Sequence, residues 1–148
     1  MPTNLYGPND NYDLNSSHVL PALLRKIIEA KKANSSEVVI WGSGSPIREF
    51  MHVDDLADAL IYLMLHYDDR EFINVGSGEE ISILELAKMI KKIVGYTGQI
   101  VHDRTKPDGT PRKLMDSAKI HRLGWKSQIS LQDGIKQVYQ AISKERPW

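Results

Sequence analysis

No cysteine occurs in the 148 residues, which excludes disulfides, thiolate metal sites and a cysteine nucleophile; a reducing, cytoplasmic compartment is compatible with that. A charge bias is lacking too, because 19 Lys and Arg balance 19 Asp and Glu. No net field recruits nucleic acid or an anionic membrane, so any basic site must be local. No apolar run is long enough to span a bilayer. The opening Met1-Pro2-Thr3-Asn4-Leu5-Tyr6-Gly7-Pro8 has neither the basic start nor the apolar core of a secretory signal. The dinucleotide fingerprint Gly-x-Gly-x-x-Gly follows no predicted strand: Gly42-Ser43-Gly44 and Gly76-Ser77-Gly78 lack the third glycine and the spacing.

What is present suits one domain with a real core. Two prolines and a cluster of Asn, Asp, Ser and Gly make residues 1–16 a predicted loop. From Ser17 to Ala33 the apolar positions Val19, Leu20, Leu23, Leu24, Ile27 and Ile28 recur at helical spacing, with Pro21 tolerated in the first turn. Val38–Trp41 is strand-like, a glycine loop follows, then a short strand Glu49–His52 and a helix Val53–Tyr67. Phe72–Val75 reads as a further strand. Ser82 and Glu85 form a capping box for a helix that Gly95 ends. Gln99–His102 is strand-like, 106–111 must be loop, and two helices close the chain, Ser117–Leu123 and one from Ser130 with Asp133 three residues on. The order reads as a small α/β unit.

The centre of the chain is Trp41-Gly42-Ser43-Gly44-Ser45-Pro46-Ile47-Arg48, a strand end running into a glycine loop. A flat aromatic, flexible backbone and a fixed cation suit a phosphate-bearing ligand, since a guanidinium fork pairs two phosphate oxygens at once. Asp54 and Asp55, at the start of the next helix, are explained by capping rather than as a catalytic pair. His52, His66, His102 and His121 have no ligand-like mutual spacing, so no metal site is expected.

Residues 2–8, 15–21, 41–56, 74–78, 106–113 and 123–125 together resemble the extended short-chain dehydrogenase/reductases, and within them the GDP-L-fucose synthase family. Lys106-Pro107-Asp108-Gly109-Thr110-Pro111-Arg112-Lys113 is the most discriminating piece. The resemblance implies an α/β fold and a single nucleotide-sugar binding domain over 1–148. On that resemblance the chain would be the C-terminal substrate-binding part of an enzyme whose N-terminal Rossmann half would carry the cofactor loop, Tyr-x-x-x-Lys and active-site cysteine. The complete enzyme would convert GDP-4-keto-6-deoxy-mannose to GDP-L-fucose by 3,5-epimerisation and NADP(H)-dependent 4-reduction, as a homodimer. This chain alone would be inactive.

By the same resemblance His18 is the catalytic acid and lies near the nicotinamide, and Pro2, Thr3, Asn4 and Leu5 line the cofactor. Lys26, Trp41, Arg48, Asp108 and Lys113 contact the GDP-sugar, with Asp108 and Lys113 favoured over Arg112. The residues alone allow blander readings: His18 as an ordinary helix start, Lys26 as a solvated lysine, Trp41 as core, Arg48 paired with Glu49 or Asp54. Another nucleotide-sugar epimerase or dehydratase, or a non-catalytic binding fragment, stays open. Apolar surface on Val19, Leu20 and Phe72–Val75 is expected to be exposed.

Overall fold

The computed structural model describes residues 1–145. In chain order its elements are β1 (Asn4–Tyr6), α1 (Val19–Lys32), β2 (Glu37–Trp41), β3 (Ile47–His52), α2 (Val53–His66), β4 (Glu80–Ser82), α3 (Ile83–Val94), β5 (Gln99–Asp103), β6 (Arg112–Lys113), α4 (Ala118–Arg122) and α5 (Leu131–Glu145). Strand β3 takes partners along its whole length. Its first half lies antiparallel to β4 and parallel to β6, with Arg48 opposite Lys113. Its second half lies parallel to β1, with Asn4 opposite Phe50. Strands β2 and β5 form a separate parallel pair that sets Trp41 opposite Asp103.

Pleating sends neighbouring residues of β3 to opposite faces, and each face has its own core. Phe50 joins Leu24, Ile27, Ile40, Leu86, Ile90 and Ile135, drawn from α1, β2, α3 and α5. Met51 joins Ala59, Val75, Ile120 and Trp125. Each fully buried aliphatic side chain contributes roughly 2 kcal/mol by area, so the first cluster is the main source of stability. The local signals behind it are plain. Ser82 accepts from the Glu85 N–H while the Glu85 carboxylate accepts from the Ser82 N–H, and Gly95 closes α3 at φ 71°.

Some expectations fail. Residues 1–16 are not loop throughout, because Asn4–Tyr6 pairs with a strand more than forty residues on, a contact that no local pattern announces. Phe72–Val75 is not a strand: Val75 makes a bridge to Pro2, and Phe72 is 79% exposed. The chain turns instead at Gly76 to wrap the Glu49 carboxylate, which accepts from the Gly78 N–H at 2.7 Å. Strands β4 and β6 were unmarked in the sequence. Neither aspartate caps α2. His52 is the N-cap, its Nδ1 accepting from the Asp54 N–H at 3.2 Å, while buried Asp55 accepts from the Gln128 and Ile129 N–H groups. Of the apolar surface expected to be exposed, Phe72 is exposed while Leu20 and Val75 are buried, and a further exposed apolar surface lies on α2, at Leu60, Ile61, Met64 and Leu65.

Candidate functional site

The loop between β2 and β3 folds back on itself because Gly42 and Gly44 both adopt positive φ, 71° and 76°. It is held from across the fold by Asp108. One carboxylate oxygen accepts from the Ser43 N–H at 2.9 Å and the other from the Ser43 hydroxyl at 2.7 Å. The residues that meet here enclose a cleft of about 180 Å³, with Trp41, Pro46, Arg48, Asp108 and Gly109 in its wall and Val19 at its edge. Three of the residues nominated from sequence, Trp41, Arg48 and Asp108, therefore converge.

Trp41 is 56% exposed, so it is a surface for something to lie on rather than core. The Lys26 ammonium stands 4.8 Å from its ring centroid and donates to the Val39 carbonyl at 3.4 Å; such a contact is worth about 0.5–1 kcal/mol at an exposed site. Burial lowers the Lys26 pKa below its ordinary value, with the Asp103 charge pulling the other way. Arg48 makes no ion pair with Glu49 or Asp54 among the described residues. Its Nη1 donates to its neighbour's carbonyl, Ile47 O, at 2.7 Å. Its Nη2 lies close against Gly109, where a Cβ would come within 3.0 Å. Lys113 stands beside it in strand register, exposed. Arg112 is occupied in a bidentate pair with Glu80 at 2.6 and 2.8 Å.

Hydrogen bonds from Ser43 hold the Asp108 carboxyl below the usual carboxylate range. A depressed folded value means that the latch is fully present above the ordinary value, about pH 4, and is lost as pH falls through the lowered one. A carboxyl-detected NMR titration is expected to give Asp108 a midpoint below that of an unstructured aspartate. Ser43→Ala is expected to move it up towards the ordinary value, and equal midpoints would show that the latch does not form.

The remaining nominated residues sit apart. Exposed His18 is the N-cap of α1 without a side-chain cap bond, next to Val19 of the cleft. Pro2, Thr3, Asn4 and Leu5 lie along β1 and its approach. Thr3 N–H donates to Val75 O, and the Asn4 amide donates to Glu49 O at 2.8 Å, so their polar groups are committed within the fold. Leu5 lines a different cleft, of about 390 Å³, with Tyr6, Pro8 and Val53. Sequence reasoning missed Ser43 and Lys106; the second of these also stands over Trp41, at 5.3 Å. The signal for it was Asp103-x-Thr105, a turn in which Asp103 accepts from both the Thr105 N–H and its hydroxyl.

Against known proteins, residues 1–76 match the model of the NAD dependent epimerase/dehydratase family. GDP-L-fucose synthase 1 of Arabidopsis thaliana is 58% identical over 139 residues, 94% of this chain and 43% of the plant protein. GDP-L-fucose synthase of Escherichia coli K12 is 51% identical, over 95% of this chain and 46% of the bacterial one. The structure of a GDP-L-fucose synthetase from Naegleria fowleri bound to NADP superposes with a TM-score of 0.90 at 36% identity, covering 97% of this chain and 45% of that one. The chain thus spans less than half the length of these relatives. A family model covering its first half and an α/β architecture shared with solved relatives lead to one conclusion: the chain belongs to the NAD dependent epimerase/dehydratase family.

Proposed function

We propose that this chain forms a single nucleotide-sugar binding domain, the GDP-sugar side of an enzyme of the GDP-L-fucose synthase type. The observation that carries the reading is the convergence of Trp41, Arg48 and Asp108 on one cleft, with Lys26 over the indole and Lys113 beside the arginine. The Arg48 guanidinium and two lysines supply the charge for a diphosphate, and the indole supplies a flat wall. Asp108 has both oxygens on Ser43, so its first role is to shape the loop; a carboxylate oxygen keeps a further lone pair for a ligand donor.

The reaction of such an enzyme is inversion at C3 and C5 of GDP-4-keto-6-deoxy-mannose followed by reduction at C4. The ketone acidifies its neighbouring C–H bonds, so inversion needs a base on one face and an acid on the other, each titrating near neutrality. His18, exposed at the start of α1 beside the cleft wall, is the residue of this chain for the acid. NADP(H) supplies the hydride for the reduction. The fit of this chain to that cofactor is that of a side wall: Leu5 offers apolar surface, Thr3 and Asn4 have their donors engaged, and no Gly-x-Gly-x-x-Gly fingerprint follows a strand in the sequence. No step through the cofactor is therefore assigned to these residues.

Calorimetry tests the reading. GDP is expected to bind and UDP to bind at least about tenfold more weakly. Arg48→Ala is expected to weaken GDP by roughly 10- to 100-fold, the loss of charged hydrogen bonds worth about 1.5–3 kcal/mol. Absence of GDP binding, or binding indifferent to Arg48, would overturn it.

A further inference from the structure

Trp41 is approached by a second ammonium that the reading above does not use. Asp103 lies opposite Trp41 in the β2–β5 register, and the chain turns tightly after it. The Lys106 N–H donates to Asp103 O at 3.3 Å, and the Asp103 carboxylate accepts from the Thr105 N–H at 3.0 Å and its hydroxyl at 2.6 Å. That turn, stiffened by Pro107, brings the Lys106 ammonium to 5.3 Å from the indole centroid, while Lys26 reaches the same ring from α1 at 4.8 Å. Neither lysine makes an ion pair within 4.0 Å among the described residues, and Asp103, the carboxylate whose charge acts on both, is engaged with its own turn. Two like charges over one ring repel, and an anion placed at the ring relieves that repulsion. Pro107 and Asp108, the next residues along, already line the cleft that holds Arg48.

We propose that Lys106 is a further substrate-binding residue, which closes with Lys26 on the two phosphates of a nucleoside diphosphate-sugar lying against Trp41. The inference rests on the GDP-sugar reading and deepens it. Arg48 holds one side of the diphosphate and the lysine pair the other, so the glycine loop and the 103–109 turn grip the ligand between them. The assignment also explains why a surface tryptophan with two cations around it sits at the end of a strand rather than in the core.

The test uses the full 148-residue chain with GDP as probe, by calorimetry over a range of salt concentrations. Lys106→Met keeps the aliphatic stem and removes the charge. It is expected to weaken GDP about tenfold and to flatten the salt dependence, with the melting temperature unchanged because the side chain is exposed. Lys106→Arg is expected to keep affinity within about twofold, as a retained cation would. GDP affinity and salt dependence unchanged in Lys106→Met, with Arg48→Ala still weakened, would overturn the role of Lys106 and leave the site reading intact. No GDP binding by the unmodified chain would overturn both.

Discussion

Glu49→Ala is expected to lower the melting temperature by roughly 10 °C, the largest stability effect of any exchange near the site. Glu49 is fully buried, with hydrogen-bond donors arranged around its carboxyl group. One carboxylate oxygen accepts from the Gly78 N–H at 2.7 Å and the Ser77 hydroxyl at 3.5 Å, and the other from the Met115 N–H at 3.1 Å. Gly76 is bare for the same reason, since a Cβ there would lie 2.4 Å from the carboxylate. Alanine leaves the Gly78 and Met115 N–H groups facing a void, a loss on the order of 3–5 kcal/mol, while the Ser77 hydroxyl keeps the Phe50 carbonyl at 3.3 Å. Glu49→Gln keeps the shape but turns an NH₂ towards donors, and is expected to lose about half as much. Glu80→Ala, which breaks the exposed pair with Arg112, is the control and is expected to change stability by less than about 1 kcal/mol. Thermal unfolding followed by circular dichroism reads all three. A Glu49→Ala midpoint within about 2 °C of the parent would mean that Glu49 does not hold these segments together.

Glu49 also shows where sequence reading stops. In the sequence it is one of the charges beside Arg48, and a surface ion pair was among its ordinary readings. Its role comes from donors at 77–78 and 115, which no periodicity links to it. Features set by neighbouring residues were legible: the α1 stripe, the Ser82–Glu85 capping box and the Gly95 stop all sit where the sequence puts them, within a residue or two. Features set by distant partners were not. Strands β1, β4 and β6 are two or three residues long and exist because β3 offers them backbone partners. Asp55 was read as a cap because helix starts favour carboxylates, and the structure uses it instead to hold the Gln128–Ile129 segment ahead of α5. At the cleft, Trp41 and Arg48 were legible as chemistry from the loop itself. Asp108 was nominated by resemblance, and its hold on Ser43 needed coordinates.

Gly42→Ala is expected to weaken GDP binding at least about tenfold, more than its cost to stability explains. At φ 71° a non-glycine residue costs about 1 kcal/mol, equivalent to a melting shift of roughly 2–4 °C in a chain of this size. The new Cβ would also come within 2.3 Å of the Asp108 carboxylate. That oxygen is the one that accepts from the Ser43 N–H, so the side chain must move and release the loop that carries Trp41 towards Arg48. Gly95→Ala carries the first effect without the second. Gly95 has the same φ of 71° at the end of α3, but its Cβ would meet only the flexible end of Lys31, at an ordinary 3.5 Å. The two variants are therefore expected to unfold at similar temperatures and to differ in calorimetry, Gly95→Ala binding GDP like the parent. Equal GDP affinities would show that the Ser43–Asp108 latch does not set the geometry of the cleft, because backbone strain is common to both and displacement of Asp108 is confined to one.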